Sequence, residues 1–215
     1  METAQTTART IAGYLLQIEA VRLNVSQPFT WASGLKSPIY CDNRQILSYP
    51  DIRTAVSSEM RQLIEKEFAG VEVIAGVATG AIAIGALVAA GMGLPFVYVR
   101  SAAKGHGLGN QVEGRLMPGS KTVVVEDLVS TGKSSLAAVE ALREAGFDVQ
   151  GMAAIFSYQL PVAQQMMQDK QCSLFTLSNY TALLEMALVR GDVSLEDMDA
   201  LKQWRNDPQA WAANR

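Results

Sequence analysis

Hydrophobic positions recur with two different periods along the chain. Apolar residues from Ile11 to Val21 recur at helical spacing, and a second helical pattern runs from Pro50, a residue favoured in the first turn, to Phe68. Between these patterns, residues 28–44 are interrupted by proline and glycine, which favours short strands and turns. The first part of the chain is therefore predicted to hold two helices around a small irregular unit.

After residue 68, short apolar runs alternate with helical patterns. The predicted strands are residues 71–78, 95–100, 121–126, 149–157 and 173–177, and the predicted helices between them are 80–91, 132–145 and 161–168. Several strands are continuous apolar runs, as in KTVVVE, which is typical of strands buried on both faces. This alternation predicts an α/β fold, a mainly parallel central sheet with helices on both faces. Residues 179–213 predict two further helices separated by Gly191.

The composition fits a single domain with 1–68 as N-terminal helices and irregular unit, 69–178 as α/β core and 179–215 as C-terminal helices. The chain has 215 residues, a formal net charge of -3 and 49% hydrophobic residues, a balance that does not favour a nucleic-acid partner. The N-terminus lacks the pattern of a signal peptide, and two distant cysteines favour reduced thiols. A cytoplasmic protein is expected.

One uncharged run, residues 73–99, is long enough to raise the alternative of a transmembrane helix. Five glycines and one proline interrupt it, and β-branched residues open and close it. Because glycine does occur in membrane helices, the alternative stays open at this point. The pattern favours a buried strand, a helix of small residues and a second buried strand, with no contact to a membrane.

VVVEDLVSTGKSS, residues 123–135, joins a predicted strand to the next helix. Its GKS ending is that of a nucleotide-binding P-loop, but Asp127 stands where a P-loop has its first glycine. Amides of a tight turn before a helix bind anions, whereas Glu126 and Asp127 repel them and can accept hydrogen bonds from vicinal sugar hydroxyls. The loop therefore predicts a sugar-phosphate site. The alternative is a structural turn whose side chains cap the helix.

This stretch resembles the phosphoribosyl pyrophosphate (PRPP) signature of the type I phosphoribosyltransferases. The resemblance implies the fold of that family, with a small N-terminal hood, and contacts from Glu126 and Asp127 to the ribose hydroxyls. It also implies a loop that wraps the 5'-phosphate, formed by Leu128, Val129, Ser130, Thr131, Gly132, Lys133 and Ser134.

YVRSAAKGHGLGNQVEGR, residues 98–115, is rich in glycine and poor in apolar anchors, and it carries cations in an acidic protein. Such a segment suits a lid that closes over an anion, although an isolated loop of this kind is more often merely solvated. It resembles the catalytic loop of the orotate phosphoribosyltransferases, which implies that Arg100, Lys104 and His106 engage pyrophosphate. The resemblance also implies a homodimer whose lid loop is shared between subunits. Many members have a second basic residue where this chain has Ser101.

FTWASGLKSPIYCDNR, residues 29–44, resembles the N-terminal signature of the same branch, which forms a hood over the base. Tyr40 is then expected to line the base pocket, and Ser130 to contact orotate; a purely structural hairpin is the alternative. Three departures are visible, because some members carry lysine at Ala32, lysine at Gly80 and arginine within 157–159.

The resemblance implies transfer of the ribose 5-phosphate group of PRPP to orotate, giving orotidine 5'-monophosphate and pyrophosphate in de novo pyrimidine synthesis. The cofactor is Mg²⁺, held through substrate oxygens rather than by protein ligands. Lys104, His106 and Asp127 are the expected catalytic residues. Two alternatives stay open, namely a phosphoribosyltransferase for a purine base and a noncatalytic regulator that senses PRPP, nucleotides or RNA.

Overall fold

The structure, a computed structural model, describes residues 2–31, 34–101 and 111–213. The strands are Val21–Leu23 (β1), Phe29–Thr30 (β2), Lys36–Ser37 (β3), Ile39–Cys41 (β4), Val73–Val77 (β5), Phe96–Val99 (β6), Val112–Glu113 (β7), Lys121–Val129 (β8), Asp148–Ser157 (β9) and Leu174–Asn179 (β10). The α-helices are Glu2–Gln17 (α1), Pro50–Glu67 (α2), Ile82–Met92 (α3), Lys133–Glu144 (α4), Pro161–Asp169 (α5), Tyr180–Arg190 (α6), Leu195–Asn206 (α7) and Pro208–Ala213 (α8). A 3₁₀ helix, Asn43–Ser48, precedes α2.

Six strands form the central sheet in the order β10-β9-β8-β5-β6-β7. The first five are parallel to their neighbours, and β7 is antiparallel to β6. All five residues of β5 are buried, which explains its continuous apolar sequence. The predicted mainly parallel α/β sheet is therefore confirmed, and the carboxyl ends of β5, β6, β8 and β9 meet at one edge.

The sheet separates two hydrophobic cores, because successive side chains of a strand point to opposite faces. Ile74 of β5 belongs to the core that includes residues of α1, α2, α3 and α6. Its neighbour Ala75 belongs to the core formed with α4 and α5. Helices cover both faces, as the sequence predicted.

The small strands form the hood. β1 pairs with β4, and β2 pairs with β3, each in antiparallel register. One buried side chain ties this unit to the main sheet, since Asn43 Nδ2 donates a hydrogen bond of 2.6 Å to the backbone oxygen of Asp127. The hood is thereby fixed against the end of β8.

Several predicted boundaries were wrong. The first helix ends at Gln17, and Val21 lies in β1, because the chain turns at Glu19, whose φ is 55°. The C-terminal segment contains a third helix, α8, whose first amides at positions 209 and 210 donate to the Asp207 side chain. The run 73–99 forms β5, α3 and β6. In the described part of the chain, no helix combines the length and apolar content needed to cross a bilayer.

Candidate active site

The two acids lie near the carboxyl end of β8, which runs to Val129 rather than ending at residue 126. Glu126 is only 4% exposed; its Oε2 accepts a hydrogen bond of 2.8 Å from Ser135 Oγ, and its Oε1 accepts one of 3.0 Å from the Asp127 amide. Burial, followed by the charge of Asp127, raises the pKa of Glu126 well above its usual range. Asp127 is half-buried and is the acid that remains accessible from the cleft.

The turn after β8 exposes several polar groups at the start of α4. Gly132 has a φ of 82°, a left-handed conformation that favours glycine, and a Cβ there would lie 3.2 Å from Met167 Cε. Thr131, Lys133 and Ser134 are exposed, and no side chain caps the N-terminus of α4. The first amides of this helix are therefore suited to an anion.

The turn after β5 packs directly against Asp127. The Ala78–Thr79 peptide bond in this turn is cis. A Cβ on Gly80 would lie 2.1 Å from Asp127 Oδ2 and 2.7 Å from its Oδ1. In this chain, therefore, a side chain at position 80 leaves no room for the Asp127 carboxylate unless that carboxylate or the turn moves.

A cavity of about 250 Å³ opens between the hood and the end of β8. It brings together the two residues predicted to contact the base, Ser130 and Tyr40. Sequence reasoning missed two further aromatic walls, Trp31 and Tyr158. The described lining consists of Thr30, Trp31, Tyr40, Cys41, Leu128, Ser130 and Tyr158. The described lining contains no Asp, Glu, Lys, Arg or His, and burial raises the pKa values of Cys41 and Tyr158 well above their usual ranges.

A cation lies beside this cavity. The guanidinium carbon of Arg22 is 5.1 Å from the centroid of the Tyr40 ring and 5.4 Å from that of Phe29. Such cation–π contacts fix the ring and place positive charge close to it. Arg22 was not among the predicted site residues, because its place opposite Tyr40 depends on the pairing of β1 with β4, which the sequence does not show.

The segment after β9, where some family members carry arginine, has a different role here. Tyr158 turns into the base cavity, while Gln159 Oε1 accepts hydrogen bonds from the Thr181 amide at 3.1 Å and the Thr181 hydroxyl at 2.7 Å. Ser157 is buried, and its Oγ accepts from the Gln159 amide. This segment therefore contributes an aromatic ring to the cavity and a polar link to α6.

The base of the predicted lid lies at the same edge of the sheet. Arg100 follows β6, its amide donates to the Gln111 oxygen at 2.9 Å, and its Nη1 lies 3.4 Å from Glu113 Oε1. A small cavity of about 70 Å³ is lined by Arg100 together with Ser134 at the start of α4. Arg100 thus adjoins the predicted phosphate loop. Lys104 and His106, like the departure at Ala32, lie outside the described residues.

Comparison with known proteins gives consistent results. The family model for the phosphoribosyl transferase domain matches residues 42–181. Orotate phosphoribosyltransferase from Bacteroides fragilis is 54% identical over 207 residues, which cover 96% of this chain and 98% of that protein. The crystal structure of orotate phosphoribosyltransferase from Aeropyrum pernix matches 81% of this chain and 96% of its own, with 28% identity and a TM-score of 0.72.

Leishmania donovani UMP synthase also shares the fold, with a TM-score of 0.78 and 24% identity over 92% of this chain, which spans 42% of that protein. Together, the parallel sheet, the acidic strand end and the near full-length similarity identify the fold as that of the type I phosphoribosyltransferases. This chain belongs to the phosphoribosyltransferase family and, within it, to the orotate phosphoribosyltransferases.

Proposed function

We propose that this protein transfers the ribose 5-phosphate group of PRPP to orotate, releasing pyrophosphate and orotidine 5'-monophosphate in pyrimidine synthesis. The observation that carries this proposal is one shared cavity, in which Ser130 of the phosphate loop and Tyr40 of the hood face the same space beside Asp127. A base in this cavity would lie next to a ribose held at the end of β8. The names and high identity of the curated relatives favour orotate as that base.

The groups at the end of β8 divide the work of binding PRPP. The 5'-phosphate would accept hydrogen bonds from the amides and hydroxyls of residues 128–134, at the uncapped N-terminus of α4. Asp127 would accept hydrogen bonds from the ribose hydroxyls. Glu126, which is buried and bound to Ser135, would reach the ribose only after giving up one of its present partners.

Bond breaking at the anomeric carbon leaves pyrophosphate with the electron pair, and the ring nitrogen of orotate forms the new bond. Positive charge develops on the sugar ring, and negative charge on the leaving group. Asp127 beside the ribose would stabilise the first. Arg100, Lys104 and His106 would stabilise the second, and closure of the lid would exclude water that could hydrolyse the activated sugar.

We expect the reaction to depend on Mg²⁺. The site fits such an ion, because Mg²⁺ commonly binds through the phosphate oxygens of a substrate and keeps several waters, so it needs no cage of protein ligands. Asp127 is the accessible carboxylate at this place, and bound Mg²⁺ would neutralise charge on the departing pyrophosphate. We expect the pyrophosphate and ribose oxygens of PRPP, rather than protein side chains, to hold the ion; among the described residues, no set of three or more metal-binding side chains occurs.

We also propose a cytoplasmic homodimer in which each lid reaches the neighbouring active site. Helix α3 supports the dimer, since none of its side chains is polar and Leu87 is nevertheless 42% exposed. A surface helix usually carries a polar face, so a second copy of the chain would cover this one. Leu87→Asp should give a monomer by sedimentation, whereas Val189→Asp, at an 80% exposed position on α6, should remain dimeric.

The first test follows the ultraviolet absorbance of orotate in the presence of PRPP and Mg²⁺, with adenine, hypoxanthine and uracil as competing bases. Loss of orotate that requires both PRPP and Mg²⁺ supports the proposal. Reaction with another base alone would leave the phosphate loop intact and reject orotate. PRPP binding without any reaction would instead favour a regulator.

The lid is tested by Lys104→Ala, which should leave a folded protein that binds PRPP and turns over far more slowly. Lys121→Ala, at the opposite end of β8, is the matched control. Mixing Lys104→Ala with Asp127→Asn tests lid sharing, because hybrid dimers regain one intact site and the mixture should recover about a quarter of wild-type activity. An inactive mixture would place each lid over its own subunit's site.

A further inference from the structure

Trp204 of α7 lies at the centre of an aromatic cluster that reaches the base cavity. We define the aromatic cluster as Trp31, Phe156, Tyr158, Tyr180 and Trp204. The Trp204 ring meets those of Trp31 and Tyr158 edge-on, with centroids 5.8 and 5.5 Å apart and interplanar angles of 84° and 86°. These are favourable geometries for aromatic pairs.

Trp204 contacts three rings, and two of them, Trp31 and Tyr158, also line the base cavity; the third, Tyr180, does not. Trp31 and Tyr158 stack on each other at 5.5 Å with an angle of 18°. The indole N–H of Trp31 also donates a hydrogen bond of 3.0 Å to the Ile39 oxygen of the hood. Tyr158 is only 2% exposed, and Trp204 packs edge-on against both rings, so the position of Trp204 determines how closely these walls approach.

Trp204 acts through the shape and packing of its ring rather than through hydrogen bonding. Trp204 is fully buried, and its Nε1 is the one buried side-chain nitrogen or oxygen in the described part of the chain without a hydrogen-bond partner. An unsatisfied buried N–H costs stability. Ring contacts rather than hydrogen bonding thus hold the indole in place.

Helix α7, which carries Trp204, is fixed to the rest of the protein by polar links. The Tyr180 hydroxyl donates to the Leu201 oxygen at 3.1 Å, which joins α6 to α7. Arg205 Nη1 donates to the Thr181 hydroxyl at 3.3 Å, and this hydroxyl in turn donates to Gln159, directly after Tyr158. Movement of α7 would consequently shift the segment that supplies Tyr158.

We propose that Trp204 is a positioning residue for the base pocket, through which the C-terminal helices α6 to α8 set the affinity for the pyrimidine base without contacting it. This inference rests on the proposed function, because the cavity is taken to hold the base. It gives the C-terminal segment, which carries no recognisable motif, a defined role in substrate selection. PRPP binding is not expected to depend on Trp204, since the phosphate loop and Asp127 are absent from the aromatic cluster.

The test compares steady-state constants for both substrates in Trp204→Phe and Trp204→Leu. The leucine variant removes both edge-on ring contacts and should raise KM for orotate about tenfold, the equivalent of about 1.4 kcal/mol, with KM for PRPP unchanged. The phenylalanine variant keeps an aromatic ring and should show a smaller rise. Phe68→Leu is the control, because it removes a buried edge-on contact of the same kind, with Phe175 at 5.4 Å and 88°, outside the aromatic cluster and the cavity lining.

Equal changes in both KM values, or the same rise in Phe68→Leu at matched loss of stability, would overturn the inference and leave Trp204 a structural residue. An unchanged KM for orotate in both Trp204 variants would overturn it as well. If Trp204→Leu does not fold, the phenylalanine variant decides by the same criterion. Failure of the wild-type protein on orotate would refute the proposed function first, and the same comparison would then use the base that it accepts.

Discussion

Replacing Gly80 by alanine is expected to lower turnover sharply while leaving the fold intact. The new Cβ would lie 2.1 Å from Asp127 Oδ2 and 2.4 Å from Asp127 Cγ. Non-bonded heavy atoms normally approach to about 3.5 Å, so the carboxylate must move by more than about 1 Å. The backbone itself tolerates alanine, because Gly80 is not among the glycines with positive φ.

The size of the effect follows from this displacement. A misplacement of about 1 Å in a group that holds the substrate costs roughly 10²-fold in rate, or about 2.7 kcal/mol of transition-state stabilisation. Asp127 is only half-buried, so its side chain can rotate away at a cost of about 0.5 to 1.5 kcal/mol. We therefore expect kcat/KM to fall about a hundredfold while the free energy of unfolding changes little.

The assays are steady-state kinetics with PRPP and orotate, and urea unfolding. Gly13→Ala in α1 is the matched control, because the nearest atom to its new Cβ is Met186 Cε at 3.8 Å, an ordinary contact. Its activity should be unchanged, and its helix should gain stability. A double-mutant cycle with Asp127→Ala isolates the cause, since Gly80→Ala should then cost little more. Full additivity, or wild-type turnover in Gly80→Ala, would refute the reasoning.

Three further changes test other contacts of the site. Stability should fall by about 1.4 kcal/mol per pH unit as pH rises from 4.5, the unfolded pKa of Glu126, to its raised folded value, and urea unfolding of Glu126→Gln should lack this slope. Asn43→Ala removes the donor to the part-buried backbone oxygen of Asp127 and should cost about 1 kcal/mol in urea unfolding, whereas Asn43→Asp, which keeps the shape but not the donor, should not restore the stability. Arg22→Gln should raise KM for orotate roughly threefold by weakening its contact with Tyr40, and Arg22→Lys should recover part of the loss; equal KM values in all three would exclude a role for this cation.

The central sheet was predictable because each of its strands has a recognisable local sequence pattern. Runs such as VVV in β8 are apolar at consecutive positions, and their alternation with helical patterns implies parallel strands. The end of β8 was less predictable. Leu128 and Val129 stay in the strand because they pair with Phe156 and Ser157 of β9. This pairing is a tertiary interaction, and the two acids that precede it interrupt the apolar pattern, so the sequence suggested an earlier end of the strand.

The base cavity was only partly predictable, for a related reason. Tyr40 and Ser130 were found through motifs, and the fold brings them to one cavity. Trp31 and Tyr158 lie far apart in sequence and share no spacing rule, although the place of Tyr158 at the end of a strand was a usable signal. Trp204 gave no signal at all, because its role depends on how α7 packs against rings from two other parts of the chain.

At two of the positions where this chain departs from the family pattern, the residue present already makes other contacts, so neither position is an empty site for a cation. Gly80 lies against Asp127, and Gln159 is bound to Thr181, which also contacts Arg205 of α7. Introducing the family's arginine as Gln159→Arg would break both hydrogen bonds to Thr181 and bring a second cation toward Arg205. We therefore expect no decrease in KM for orotate from this change.

Conservative replacement by Gln159→Glu keeps the acceptor for Thr181 and serves as its control. A lower KM for orotate in Gln159→Arg would mean that the pocket lacks a cation it can use. An unchanged or higher KM, as we expect, would instead mean that neutral donors, aromatic walls and the nearby Arg22 already form a complete site, in which the role of the missing arginine is taken by contacts that reach from β1 to α7.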